Sequence, residues 1–506
     1  MNSSTEGPYD IAVIGGGING VGIARDAAGR GLKTLLVEQN DLGWATSSRS
    51  THLIHGGLRY LEYYEFRLVA EALSEREVVL KLAPHITWPM TFILPHEKHL
   101  RPAWMIRAGL LMYDNLGRGF FALTGGHSHF AKSRGVALEP DGYGAGLKPE
   151  FKRGFAYADG WVDDARLVIV NARSAADKGT TVLTRTRAVE SKRTADSWTL
   201  TLRDETTGQR RDVSAKVIVN AGGPWVKALL EGALHVQTPT RVRLVKGSHI
   251  IVPRIHNGAH ALLLQNPDMR VIFMIPYEQD FTMIGTTELM VDDPEIVPEI
   301  TREEIDYLCQ ASSRYTLRPI TPDQVKHTFA GVRPLFDDGR GDVSSVTRDY
   351  RFELDEKGAP LLSVFGGKIT TYRKLGESAL ERVAKFLPPM SAPWTDKEPL
   401  SGGDFGGASF EEFLASYRRR YPGLDPAWLA RFLRRHGSNG AEILGDAKSE
   451  ADLGERFGGG LYERELRFLV EREWARTAED VLERRTKCGL FMTEAERRRV
   501  AEVLGG

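Results

Sequence analysis

The segment Gly15-Gly16-Gly17-Ile18-Asn19-Gly20 constrains the fold of this chain more than any other. It follows a run of strand character, Tyr9–Ile14, and precedes a helical pattern over about 19–30. A second apolar run, Thr34–Val37, then ends in the acid Glu38. Strand, glycine turn, helix and second strand are the βαβ opening of a dinucleotide-binding fold. Gly15 permits the tight turn, Gly17 lets backbone N–H groups approach a pyrophosphate, and Gly20 lets helix and strand pack closely. The helix N-terminus, with Asn19 in its first turn, favours the negative charge, and Glu38 stands where a ribose diol would be read.

That fingerprint does not distinguish a nicotinamide from a flavin dinucleotide; three later segments do. Ala45-Thr46-Ser47-Ser48 through His55-Gly56-Gly57-Leu58-Arg59-Tyr60 offers hydroxyls and small residues directly after the second strand. Val217–Asn220 runs into the glycine turn Ala221-Gly222-Gly223. Phe365-Gly366-Gly367-Lys368-Ile369-Thr370-Thr371 returns late in the chain, where a helix N-terminus could meet a flavin pyrimidine. The expected cofactor is therefore FAD, held by Gly15, Gly17, Asn19, Gly20, Glu38, Thr46, Ser47, Ser48, His55, Gly222, Gly367, Lys368 and Thr370.

At 506 residues the chain has room for several domains. Lys plus Arg equals Asp plus Glu, 67 of each, so nothing in the charge balance points to nucleic acid. Cys309 and Cys488 lie far apart, which leaves no disulfide framework, cysteine zinc site or iron–sulfur cluster, and no metal site is expected. The opening residues lack the basic region of a secretory signal, and no apolar run approaches the ~20 residues that span a bilayer. Pro388–Gly407 is rich in Pro, Gly and Ser and reads as a linker to an Arg- and Glu-rich helical region.

Taken together, VIGGGINGVGIARDAAGRGL, ATSSRSTHLIHGGLRYLE, WVDDARL, VNAGGPWVK, KGSHIIVP, GTTE, GVRPL, TRDY and LLSVFGGKITTYRKLGE resemble the bacterial aerobic glycerol-3-phosphate dehydrogenases. RRRYPGL, HGSN, DLGERFG and RRTKCGL continue the likeness to the C-terminus. One departure is Ala221-Gly222-Gly223, where the family often has Ala-Thr-Gly; a hydroxyl is lost there but the backbone path is kept. The resemblance implies an α/β fold: a discontinuous Rossmann-like FAD-binding domain, a β-rich substrate domain and a C-terminal helical cap. Residues 8–85, 155–235 and 328–387 would form the FAD domain, and 86–154 with 236–327 the substrate domain and a membrane-facing segment. Residues 388–407 would link to a helical domain over 408–506.

It implies further that sn-glycerol 3-phosphate is oxidised to dihydroxyacetone phosphate by hydride transfer to FAD, which a membrane quinone reoxidises. Arg59, Tyr60, Arg333, Arg348 and Lys368 would line the substrate site, since guanidinium and ammonium groups suit a phosphate. His249 is the candidate acceptor for the hydroxyl proton, and Arg333 would stabilise the developing alkoxide. The location implied is cytoplasmic, attached peripherally to the inner face of the cell membrane, and a homodimer is compatible. Within Leu94–Arg134, Arg101 and Arg107 interleave with Trp104, Leu110 and Leu111, as an interfacial helix on an anionic membrane surface requires. Two alternatives stay open: a glycerol-3-phosphate oxidase using oxygen, and a flavin-binding RNA-modification or interaction protein on the same fold.

Overall fold

The computed structural model describes residues 6–97, 100–116, 128–268, 270–292, 298–336 and 349–505. Arg348, expected in the substrate site, lies outside the described residues, as do Lys98, Arg118, Phe120 and Phe121 of the expected membrane segment.

The chain visits two sheets alternately. It lays down β1 (Glu6–Ile14), α1 (Ile18–Gly29) and β2 (Thr34–Val37), then crosses to the second sheet with β3 (Leu53–Ile54). After α2 (Phe66–Leu82) come β4 (Thr87–Pro95), α3 (Ala103–Leu116), β5 (Arg134–Ala137) and β6 (Arg153–Val162) in that second sheet. β7 (Thr181–Leu183), β8 (Thr186–Arg193), β9 (Trp198–Asp204) and β10 (Arg210–Asn220) return to the first. β11 (Val242–Pro253), β12 (Ala261–Gln265), β13 (Val271–Tyr277), β14 (Phe281–Gly285), β15 (Leu289–Val291) and β16 (His327–Phe336) complete the second. β17 (Tyr350–Asp355) and β18 (Leu361–Gly366) close the first.

In the first sheet β1 is central, parallel to β2 on one side and to β10 on the other. Helices cover one face of the sheet, and β8, β9 and the short helix Val226–Glu231 cover the other; β2 is accordingly buried throughout and apolar apart from its first residue, Thr34. The second sheet is mostly antiparallel and is fed by two separate stretches of chain, one carrying β3 to β6 and one carrying β11 to β16. This moves two expected boundaries. β6 pairs with β4 and β16 with β11, so 153–162 and 327–336 belong to the second sheet and not to the dinucleotide-binding one. Strand membership depends on which partner edge is free, and periodicity within a strand carries no information about that.

The stretch after Gly57 is not one continuous helix, although Leu58, Leu61, Tyr64, Leu68, Ala72, Val79 and Leu82 recur at helical spacing. A 3-10 turn, Leu58–Tyr63, precedes α2, and Tyr64 at φ 60° bends the chain between them. Nor is 388–407 a loose linker. The Trp394 ring lies under the Arg25 guanidinium at 4.6 Å, Arg25 donates to the Glu398 carbonyl at 2.7 Å, and Leu400 is buried in the core of the first domain.

The C-terminal helices, Phe410–Arg420, Pro426–His436, Glu463–Arg472 and Glu494–Val503, enclose a core of their own around Trp428, Phe432, Leu466 and Leu469. Buried ion pairs join this domain to the rest of the chain. Arg485 grips Asp41 in a fork of 2.6 and 2.7 Å, Arg166 pairs with Glu473, and Lys487 pairs with Asp163.

Candidate active site

A cavity of about 1570 Å3 opens where the C-terminal ends of β1 and β2 meet the second sheet. It exceeds the ~300–1,000 Å3 of an ordinary small-molecule pocket, leaving room for an elongated cofactor and a second ligand. Gly15, Gly17, Asn19, Glu38, Thr46, Ser47, His55, Gly222, Gly367, Lys368 and Thr370 all line it.

The glycine turn is built as its spacing predicts. Gly15 sits at φ 116°, and a Cβ there would fall 2.4 Å from the Ala221 carbonyl oxygen. A Cβ on Gly20 would come within 1.8 Å of the Gly15 oxygen, so this glycine serves helix packing and does not itself line the cavity. Gly17 differs: its Cβ would meet only the Ser47 hydroxyl, at 3.1 Å, so what it keeps clear is cavity space beside α1. Ser47 Oγ accepts from the Ile18 N–H at 3.0 Å, while Asn19 Oδ1 is buried with no partner among the described residues.

Glu38 accepts from the backbone N–H groups of Gly16 (2.6 Å) and Asn40 (2.8 Å). Burial raises its carboxyl pKa, and those two donors work against the rise. His55 and Thr370 are tied together: the His55 N–H donates to Thr370 Oγ1 at 3.1 Å. Ser48, like Gly20, is an expected residue that does not line the cavity. In the tight 3-10 turn Thr46–Ser48 successive side chains diverge by about a third of a turn, and Ser48 is not among those reaching the cavity.

The second sheet supplies the floor. Gly247 on β11 lies opposite Gly331 on β16, leaving bare backbone between His249 and Arg333. A Cβ on Gly247 would fall 2.5 Å from Arg333 Nη2, and one on Gly285 would fall 2.1 Å from the His249 ring. Each glycine thus makes the space its charged or aromatic neighbour occupies. His249 stacks on Phe329 at 4.7 Å, and its Nε2 lies 3.1 Å from the Thr51 hydroxyl. Burial lowers its pKa to about 3, with the Arg333 cation and His52 adding to the effect. At physiological pH the imidazole is neutral and can accept a hydrogen bond from a substrate hydroxyl.

Arg333 is held by Glu288 at 3.3 Å and by the Thr286 hydroxyl at 3.2 Å. Arg59, Tyr60 and Lys368 line the same cavity, with Lys368 Nζ 3.7 Å from the centre of the Tyr60 ring. The expected catalytic and substrate residues that the structure describes therefore converge on one space.

Sequence reasoning assigned no role to Thr51, Thr286 or Glu288. Thr286 and Glu288 sit in the Gly-Thr-Thr-Glu motif, which was the available signal. Thr51 takes its place through the buried Asp164. That carboxylate accepts from the Ser50 N–H (2.9 Å) and hydroxyl (2.7 Å) and pairs with His52 at 3.2 Å, which fixes the loop on both sides of Thr51.

A glycine-turn dinucleotide site facing a neutral imidazole and a clamped guanidinium defines an oxidoreductase that moves hydride between a bound cofactor and an alcohol or amine. A family model described as FAD dependent oxidoreductase matches residues 10–373, and one described as the C-terminal domain of alpha-glycerophosphate oxidase matches 393–505. The chain belongs to the FAD-dependent oxidoreductase family, in the branch that carries this C-terminal domain, and FAD is its cofactor.

It is 50% identical to D-erythritol 1-phosphate dehydrogenase of Brucella abortus, over 96% of each chain. It is 49% identical to aerobic glycerol-3-phosphate dehydrogenase of Escherichia coli, over 98% of this chain and 97% of that one. The structure of a glycerol-3-phosphate dehydrogenase from Bacillus halodurans complexed with FAD superposes with a TM-score of 0.75 at 29% identity, covering 99% of this chain and 94% of that one.

Proposed function

We propose that the protein oxidises sn-glycerol 3-phosphate to dihydroxyacetone phosphate and passes the electrons to a membrane quinone. The observation that carries the reading is the convergence of His249, Arg333, Arg59, Tyr60 and Lys368 on the cavity lined by the dinucleotide-binding residues. Bound along the glycine turn, FAD would supply the acceptor for the hydride lost from C2. His249 accepts a hydrogen bond from the C2 hydroxyl and takes up its proton, and the neighbouring Arg333 cation stabilises the developing alkoxide. Arg59 and Lys368 hold the phosphate. A four-carbon polyol phosphate is the second reading, favoured by the 50% identity to the erythritol phosphate enzyme.

The quinone rests on the rest of the cavity wall. Beyond Tyr60 the cavity is lined by Phe92, Leu94, Leu263 and Phe273 of the second sheet and by Ile106 and Met112 of α3. At its mouth the surface is apolar: Trp104 is 70% exposed, Met105, Leu111 and Met112 are exposed, and α3 packs against the turn that leads into Tyr64, itself 79% exposed. Exposed apolar patches of this kind mark partner or membrane surfaces. No helix among the described residues is long and apolar enough to cross a membrane, so the contact proposed is peripheral. Arg101 fits a headgroup contact, being largely exposed beside Glu62 at 3.4 Å. Arg107 does not, because it donates to Ser133 Oγ at 2.7 Å.

The test is co-sedimentation with anionic vesicles combined with acceptor assays. Arg101→Glu should weaken binding by roughly thirtyfold, since the attraction lost and the repulsion gained at an anionic surface are each ~1 kcal/mol, and Trp104→Glu should weaken it too by removing an exposed apolar anchor. Quinone reduction should fall with the binding. Equal binding by all variants with quinone reduction intact would remove this surface as the anchor. A wild type that ignores vesicles and reduces oxygen efficiently would make the protein an oxidase.

A further inference from the structure

The clamp on Arg333 contains a group that the reaction as written above does not use. Glu288 lines the cavity, with Oε1 3.3 Å from Arg333 Nη1. Beside it Thr286 is already committed, because its hydroxyl donates to the Thr287 carbonyl at 3.0 Å and lies 3.2 Å from Arg333 Nη2. Arg333 has only donors. Among the described side chains of this clamp the strongest acceptor for a hydrogen bond from a substrate hydroxyl is therefore the Glu288 carboxylate. A carboxylate offers about four acceptor positions, enough to serve a neighbouring guanidinium and a substrate hydroxyl together.

The position of Glu288 is set from below. Glu304, at the start of the helix Arg302–Ser313, accepts from Thr287 Oγ1 at 2.6 Å and from Ser248 Oγ at 2.8 Å. Thr287 Oγ1 in turn accepts from the Ser248 N–H at 3.0 Å, and Lys246 pairs with Glu304 at 2.8 Å. The residues on either side of Glu288 thus belong to a bonded frame that also carries β11, the strand of His249. A carboxylate fixed this way would repel a phosphate dianion, which leaves the phosphate to Arg59 and Lys368.

We propose that Glu288 is the specificity residue for the hydroxyl-bearing end of the substrate: it accepts a hydrogen bond from the terminal hydroxyl of a polyol phosphate and turns the phosphate away. Arg333 aims the carboxylate. The proposal rests on the reading of the substrate as a polyol phosphate, and it accommodates a three- or a four-carbon chain, since either ends in a hydroxymethyl group.

The experiment compares sn-glycerol 3-phosphate with propane-1,2-diol 1-phosphate, which lacks only that hydroxyl, on wild type, Glu288→Gln and Glu288→Ala. FAD content is measured on each. A hydrogen bond to a charged group supports roughly ten- to hundredfold discrimination in kcat/KM by the wild type. Glu288→Ala should lose activity on glycerol 3-phosphate by that factor and on the diol phosphate by little, so that the ratio collapses. Glu288→Gln, which keeps an acceptor oxygen, should retain part of the ratio. Equal losses on both substrates, or a wild type that does not discriminate, would overturn the proposal and leave Glu288 as a prop for Arg333. A wild type that turns over neither of these phosphates nor a four-carbon polyol phosphate overturns the polyol-phosphate reading itself.

Discussion

Gly17→Val should yield a folded but colourless protein. Three glycines form the turn, and they fail differently. Gly15 has a positive φ and would drive a Cβ into the Ala221 carbonyl, while Gly20 would collide with Gly15; substitution at either damages the fold itself. Gly17 has an ordinary extended backbone, φ −79° and ψ 179°, and a Cβ there approaches only Ser47 Oγ. Its substitution fills the space in which the pyrophosphate meets the N-terminus of α1. Losing two charge-assisted hydrogen bonds at ~1.5–3 kcal/mol each corresponds to at least a hundredfold in FAD affinity. Apoprotein melting should match that of wild-type apoprotein for Gly17→Val and fall for Gly15→Val. Stoichiometric FAD in purified Gly17→Val would contradict the assignment of this turn.

Arg485→Ala should destabilise the protein by ~3–5 kcal/mol, the usual consequence of removing one partner of a buried ion pair. Arg485 is completely buried, and its guanidinium also donates to the Glu473 carbonyl at 2.7 Å. Arg484 Nε reaches the same Asp41 at 2.6 Å, and its Nη2 meets Asp480 at 2.6 Å. Burial opposes the charge on Asp480, but backbone donation from Arg476 and the surrounding arginines outweigh it and hold its pKa at about 2. Asp41 lies three residues beyond Glu38 in the loop that runs into the cavity-lining Gly43 and Trp44. The loss should therefore be visible twice, as a lower denaturant midpoint and as earlier release of FAD on heating. An unchanged midpoint would mean that the C-terminal domain contributes nothing to holding this loop.

These two predictions mark what the sequence makes legible and what it hides. The glycine turn, Glu38 and the strands around them are local: a turn type, a helix start and an acid at a known offset all lie within one βαβ unit, so spacing alone places them. His249 and Arg333 were reached through motifs, and the structure brings them onto one sheet floor. The Asp41–Arg485 contact spans 444 positions, and the Thr51–His249 contact 198. Neither periodicity nor composition carries such a pairing. The expected place of β6 and β16 in the FAD-binding domain failed for the same reason, since a strand's own pattern shows that it is buried but not beside which neighbour. Ser48 was misplaced on a finer scale, where a 3-10 turn rotates one of three adjacent hydroxyl residues away from the cavity.

The most direct test of the account is anaerobic mixing of the purified holoprotein with sn-glycerol 3-phosphate while the flavin absorbance is followed. The account predicts complete bleaching of the flavin with one equivalent of dihydroxyacetone phosphate formed, no response to unphosphorylated glycerol, and recovery of the oxidised spectrum on adding a quinone. A flavin that stays oxidised with the phosphate, or that is bleached equally well by glycerol, would contradict it.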